Sequence, residues 1–195
     1  MRIYFARHGE TEWNARRKVQ GSTDTPLNEA GIAQARRLAE KLAGLKIPIC
    51  HVYSSEMQRA HTTAQIVADR LGVPCETRPG LQELNLGDWE GYSWRQIEQN
   101  WPEAYRLWEE RKSVERPPNG ECYAELLERF VAAVLRIVRE AQGDVLIVSH
   151  SACLLSFQAT LNRTPIERML KDYAAPNAGV IAIEAERILA RWPER

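Results

Sequence analysis

The sequence predicts an α/β fold, a three-layer α/β/α arrangement around a mostly parallel central sheet. Three observations predict it. Short apolar runs and amphipathic helical stretches alternate along the chain. The run Val145-Leu146-Ile147-Val148 is branched throughout, which suits a strand covered on both faces. The helical stretches each carry one apolar stripe, and a stripe of that kind needs a sheet to cover it.

The elements follow in order. Ile3 to Ala6 is a short apolar run that ends in a polar turn and reads as the first strand. Leu27-Asn28-Glu29 opens a helix with Asn28 as N-cap. Ile32, Ala35, Leu38, Ala39 and Leu42 repeat at helical spacing and face the sheet. Ile47 to Tyr53 is the second strand. Ala60, Ala64, Val67 and Leu71 share a face of the helix after it, which Gly72 ends. Val73 to Thr77 is a weaker strand.

The longest helix runs from Glu121 to Gln142, with Leu127, Phe130, Val134, Ile137 and Val138 apolar and Gly143 at its stop. After the branched strand, a helix covers Ala152 to Leu161. Val180 to Ile183 supplies the last strand, followed by an edge hairpin through Ile188 and Leu189. The segment from Tyr92 to Asn119 departs from the alternation and reads as a helical, lid-like insertion. Its Trp101, Tyr105 and Trp108 fall on one helical face, which points first to packing and second to lining a substrate pocket.

The 195 residues are read as one domain, 1–195, long enough to bury a substantial core. Lys plus Arg and Asp plus Glu number 26 each, so the formal charge is zero and no basic excess invites nucleic acid. Attraction for phosphate must then come from a local cluster of cations. No apolar run is long enough for a membrane span or signal peptide. Cys50, Cys75, Cys122 and Cys153 form no CxxC pair, which fits a reducing cytoplasm. Cys153 lies close behind His150 and reads as a small buried residue rather than a nucleophile.

Arg7-His8-Gly9-Glu10 directly follows the first strand, and ligands gather at the carboxyl ends of strands in open α/β sheets. Arginine offers a permanent charge and a fork of donors matched to phosphate oxygens. Neutral imidazole is a good nucleophile near neutral pH, its reference pKa being about 6.5. Gly9 lets the backbone come close and leaves a carbonyl to accept the other ring N–H, which fixes the tautomer. Alone, such a tetrapeptide is more often a surface turn. His150 ends the branched strand and emerges at the same edge. A zinc site is the weaker reading, because His51 and His61 do not complete it and no HxxxH or HxH spacing occurs.

Arg7-His8-Gly9-Glu10-Thr11 with Trp13-Asn14 resembles the signature of the histidine phosphatase superfamily, also called phosphoglycerate-mutase-like. Four further blocks agree with it in order and spacing. Gln20-Gly21 precedes Asp24, Pro26-Leu27-Asn28 and Gly31. Ser54-Ser55 is followed by Arg59-Ala60 and Thr62-Thr63-Ala64. Leu81, Glu83, Gly87, Trp89, Glu90 and Gly91 resemble the acidic loop, and Ile147-Val148-Ser149-His150 the second histidine strand.

The resemblance implies a phosphoglycerate-mutase-like fold and a role for each group. His8 attacks phosphorus and carries the phosphoryl group. Arg7, Arg59 and His150, with Asn14, hold the equatorial oxygens without metal or other cofactor. Gln20, Gly21 and Ser151 fall at phosphate- or substrate-binding positions. Glu83 protonates the leaving alkoxide and then activates water; Glu10 and Glu90 rank below it. Two positions depart from the pattern: Ser151 stands where relatives carry Gly, and Cys122 where they carry a capping Ser.

The implied activity is hydrolysis of a small phosphomonoester in the cytoplasm, by a chain for which a homodimer is allowed. Its alternatives are a cofactor-dependent phosphoglycerate mutase and a phosphate-binding module without catalysis.

Overall fold

The computed structural model describes residues 1–193. Among these residues five strands form one sheet: β1 (Arg2–Arg7), β2 (Ile49–Ser54), β3 (Cys75–Thr77), β4 (Asp144–Ser149) and β5 (Val180–Glu184), in the order β3-β2-β4-β1-β5. The first four are parallel, and β5 runs antiparallel along β1. Nine α-helices among the described residues surround it: α1 (Glu12–Ala15), α2 (Glu29–Gly44), α3 (Gln58–Leu71), α4 (Trp94–Asn100), α5 (Pro102–Glu110), α6 (Tyr123–Glu140), α7 (Ser151–Leu161), α8 (Met169–Asp172) and α9 (Ala185–Arg191).

The pleat sends alternate residues to opposite faces, and both faces are buried. Ile3, Phe5, Val145 and Ile147 pack with the apolar faces of α6, α7 and α9. Tyr4, Ala6, Leu146 and Val148 pack with α2 and α3 through Leu38, Leu42, Ala60, Ala64 and Val67. The three-layer expectation therefore holds. No helix among the described residues is long and apolar enough to cross a membrane.

Two expectations are corrected. The edge hairpin through Ile188 and Leu189 is instead helix α9, whose residues Ala185-Glu186-Arg187-Ile188-Leu189-Ala190 carry good helix formers. Ile188 is fully buried against the sheet, and Trp192 beyond it stacks on Phe157 at 5.2 Å. The Trp101–Trp108 stripe is also broken. Pro102 lacks an N–H and disfavours helical backbone before it, so Trp101 sits between α4 and α5 at φ −133°. Trp101 packs on Tyr92 at 5.2 Å, while Tyr105 and Trp108 gather around Trp89 at 6.0 and 5.4 Å.

The register decides where the site is. Arg7 pairs with Ser149 and Ser54 with Val148, so β1, β2 and β4 end level with one another. His8 N–H donates to the Ser149 carbonyl and Ser55 N–H to the Val148 carbonyl, each at 3.0 Å. The residues just past the three strands thus share one edge. Because β5 is antiparallel, the loop that leads into it arrives at that same edge.

Candidate active site

His8 leaves the end of β1 with its side chain almost sealed from solvent, at 2% exposure. Its Nδ1 lies 2.6 Å from the Gly9 carbonyl oxygen. A carbonyl only accepts, so Nδ1 carries the proton and the lone pair of the neutral ring sits on Nε2. The Gly9 N–H is fixed in turn by the Thr63 hydroxyl at 3.0 Å, and a Cβ at Gly9 would collide with the Gly31 carbonyl. Burial, then the charges of Arg7 and Arg59, hold the imidazole well below the ordinary histidine range. The ring is neutral and aimed.

Arg59 enters from the first turn of α3 and is fully buried. Its Nη1 and Nη2 donate to the carbonyls of Thr23 and Gly21, each at 2.8 Å. Arg7 donates from Nη1 to the Ala175 carbonyl at 2.8 Å. Both guanidinium groups keep a buried Nε–H with no acceptor among the described residues. Burial lowers the pKa of each, against the pull of Glu83, yet arginine stays charged in proteins.

His150 caps the start of α7, fully buried, its ring 5.2 Å from that of His8. Its Nε2 meets the Ser55 hydroxyl at 2.8 Å, and its buried Nδ1 has no partner among the described residues. Burial, then Arg59, keeps this ring well below the ordinary range too. Buried donors without protein partners are rare. Two of them, the Nε–H groups of Arg7 and Arg59, together with the unpartnered His150 Nδ1, suit a cradle for an anion.

The loop between β3 and α4 carries Glu83 into the same space. Glu83 Oε1 accepts the Leu84 N–H at 3.0 Å, and both of its oxygens lie 3.2 Å from the Ala152 N–H in the first turn of α7. The backbone behind it is tied down carbonyl by carbonyl. The Ser149 hydroxyl holds Leu81 O at 2.8 Å, the Cys153 thiol holds Gln82 O at 3.0 Å, and Arg129 donates to Gln82 O and Glu83 O at 2.6 and 2.9 Å. Cys153 is sealed in the core and burial pushes its thiol well above the ordinary range, which removes it as a nucleophile.

Glu83 and the cradle open into one cavity of about 660 Å³. His8, Arg7, Asn14, Gln20, Gly21, Arg59, Glu83 and Ser151 all line it; His150 does not, its ring lying 5.2 Å from that of His8. The rival carboxylates are occupied elsewhere. Glu90 accepts from the backbone and hydroxyls of Ser22 and Thr23 at 2.5 to 2.9 Å, and Glu10 Oε1 accepts from Asn28 at 2.9 Å.

Comparison with known proteins identifies the family. The family model described as histidine phosphatase superfamily (branch 1) matches residues 3–191. The chain belongs to the histidine phosphatase superfamily. It is 38% identical over 173 residues to phosphoglycerate mutase-like protein 4 of Arabidopsis thaliana, covering 86% of this chain and 75% of that protein. It is 35% identical over 155 residues to a metal-independent phosphoserine phosphatase of Arabidopsis thaliana, covering 78% and 65%. Among solved structures, Bacillus stearothermophilus YhfR superposes with a TM-score of 0.85 at 34% identity, over 94% of this chain and 90% of that one.

In this histidine phosphatase the predicted residues converge, but not all in the expected way. Gly21 contributes a carbonyl that seats Arg59; its φ of +53° and the Glu90 carboxylate leave no room for a Cβ. Gln20 has its oxygen bound by the Thr11 and Thr25 hydroxyls at 2.7 and 2.5 Å, which leaves the amide NH₂ as its donor.

Sequence reasoning missed Asn177, which donates to the His8 carbonyl at 3.1 Å and to Asn14 Oδ1 at 3.3 Å. The signal was available: Pro176-Asn177-Ala178-Gly179 is a turn just before the last strand, and an antiparallel strand begins at the site edge. It also missed Ser55 as the partner of His150, and Arg129 as the tie on the acidic loop. Nothing in the spacing of Arg129 from Glu83 marks that contact.

Proposed function

We propose that this chain is a metal-independent phosphomonoester hydrolase, acting through a phosphohistidine on His8 upon a small phosphorylated metabolite. The observation that carries the reading is the His8 Nδ1 to Gly9 carbonyl bond at 2.6 Å, which sets a bare Nε2 inside a cavity with two guanidinium groups. Nε2 attacks phosphorus as the bond to the leaving oxygen breaks. Arg7, Arg59 and His150, with the amides of Asn14 and Gln20 beside them, neutralise the three equatorial oxygens, a task that metal ions serve elsewhere.

His150 donates from Nδ1, with Nε2 accepting from Ser55. Glu83 Oε2, the less engaged oxygen, carries the proton to the departing alkoxide. Water then attacks the phosphohistidine and gives its proton to the Glu83 carboxylate. The N–P bond breaks, inorganic phosphate leaves, and the Nε2 lone pair returns. Gly21 and Ser151 shape the mouth of the cradle, and the helices between residues 92 and 119 cover it within a single domain.

A quenched single turnover with a ³²P-labelled phosphomonoester tests this directly. Expected are an acid-labile, base-stable labelled protein, stoichiometric with sites, and release of inorganic phosphate unchanged by EDTA. Isomerised phosphoglycerate in place of inorganic phosphate, in the presence of a bisphosphoglycerate primer, would establish the mutase. Bound ester with no phosphate released would establish a binding module, and loss of turnover with EDTA would refute the metal-free cradle.

A further inference from the structure

Beyond the phosphate cradle the same cavity changes character. Its far wall is made by Trp94, Tyr105, Trp108 and Tyr123, closed below by Leu155, Met169 and Leu170. The rings form one assembly: Trp94 stacks on Trp108 at 5.4 Å with an interplanar angle of 18°, and Tyr105 on Trp108 at 6.3 Å and 28°. The rings pack as one aromatic cluster along that side.

Two features of this wall bear on a ligand. Trp94 is 43% exposed and Leu170 65%, and both line the cavity at its mouth. Large apolar side chains left open beside a reactive cleft mark a ligand surface more often than scattered exposed ones do. Trp108 is itself buried, and its indole N–H has no acceptor among the described residues. The space is ample as well. About 660 Å³ falls within the roughly 300–1,000 Å³ that holds drug-sized ligands, far beyond the needs of a phosphate and a three-carbon chain.

We propose that the site selects phosphomonoesters whose alcohol carries a flat aromatic group, seated against Trp94, Tyr105, Trp108 and Leu170. The proposal rests on the hydrolase reading and narrows its substrate class. Its rival is a small carboxylate-bearing ester held by Arg17 and Lys18, the other two cations on the lining. Both of these are exposed, and Lys18 already lies 5.7 Å from the Trp13 ring. Exposed cations give a weak, salt-screened hold, whereas ring stacking on a half-buried wall is undiminished by salt.

Aryl esters react faster with any phosphatase, because a phenoxide leaves easily. The comparison must therefore hold the leaving group constant as a primary alkoxide. We would measure kcat/KM for 2-(2-naphthyl)ethyl phosphate, ethyl phosphate and O-phosphoserine in the wild-type chain, Trp94→Ala and Leu170→Ser. The naphthylethyl ester is expected to exceed ethyl phosphate by roughly tenfold or more. That ratio should fall by roughly fivefold or more in Trp94→Ala, chiefly through KM, and by less in Leu170→Ser. Both variants change exposed positions, and an unchanged urea midpoint checks that each keeps the fold.

A ratio near one, or an equal ratio in wild type and Trp94→Ala, overturns the aromatic class while leaving the hydrolase standing. A preference for O-phosphoserine that disappears in Arg17→Ala or Lys18→Ala overturns it in favour of the carboxylate rival. If none of the three esters turns over, the proposal falls together with the reading beneath it.

Discussion

At the phosphate end of the cavity His8, Arg59 and His150 are buried, and each is tied by a directional bond to Gly9, to Gly21 and Thr23, or to Ser55. At the other end Trp94 and Leu170 are open to solvent, and the wall is held by ring contacts. The difference follows from what each end must do. Charge that develops in a transition state is stabilised by donors already in place, so their directions must be fixed before the substrate arrives. Apolar surface has no preferred direction and tolerates exchange of one side chain for another. On the proposed reading, chemistry is set at the first end and selection at the second.

The largest effect expected is at His8. His8→Ala removes the proposed nucleophile, and turnover of every ester should fall about 10⁴-fold or more, with the ranking among esters meaningless thereafter. Steady-state phosphate release checks this. A variant that kept the wild-type rate would end the assignment. Glu83→Gln should cost roughly 10²–10⁴ in turnover of alkyl esters, which need a proton on the leaving oxygen. With 4-nitrophenyl phosphate the first step needs no acid but the second still needs a base, so rapid quench should find the phosphoenzyme accumulating. Equal losses in kcat/KM for both esters, which reports the first step alone, would deny Glu83 the acid role.

The buried imidazoles also couple the phosphate end to pH. Both His8 and His150 are held below the ordinary histidine range, by burial first and then by the arginines. In the unfolded chain each titrates near about 6.5. As pH falls through that value the unfolded chain takes up protons that the folded chain refuses, so stability drops toward acid. The slope approaches about 1.4 kcal/mol per pH unit for each histidine. Urea unfolding at about pH 7.5 and about pH 5.5 measures it, in a window above the range where carboxylates titrate. A flat profile would mean that the fold accepts both protons.

Arg129 sharpens the comparison because it lies behind the acid without touching the cavity. Its guanidinium pairs with Glu121 and spans the carbonyls of Gln82 and Glu83. Arg129→Met should cost about 2 kcal/mol of stability, for the lost charged hydrogen bonds. It should also lower kcat for ethyl phosphate by about tenfold, and less for 4-nitrophenyl phosphate, because misplacing an acid matters most where an acid is needed. A loss shared equally by the two esters would reduce Arg129 to a packing residue.

Much of this was legible beforehand, and the gaps have a common cause. Continuous apolar runs in β1 and β4 and helical spacing in α2 and α6 place the sheet and its two covers, since burial on two faces or on one stripe leaves a direct trace in the residue order. The tie of His8 to Gly9 was legible because it is local. What escaped was contact across long sequence separation: Asn177 on the His8 carbonyl, Ser55 on His150, Arg129 on the acidic loop. Helix α9 was misread because Ile188 and Leu189 alone suit either state, and only the burial of Ile188 and the Trp192 stack on Phe157 decide it.

The smallest effect expected lies at Cys122, the N-cap of α6. That helix serves both ends of the cavity, since Tyr123 lines the aromatic wall and Arg129, two turns on, ties the acidic loop. A capping box is present, and in one half of it the Glu125 carboxylate accepts the Cys122 N–H at 3.0 Å. The other half is a thiol, a weaker acceptor than a hydroxyl. Cys122→Ser should therefore stabilise the chain by about 0.5–1 kcal/mol, read as a shift in the urea midpoint with an unchanged slope. Because a cap secures the whole helix, it acts on Tyr123 and Arg129 together. Neither kcat nor the ranking of esters should move, and a change in ranking alone would show that the two ends are coupled through α6 rather than merely carried by it.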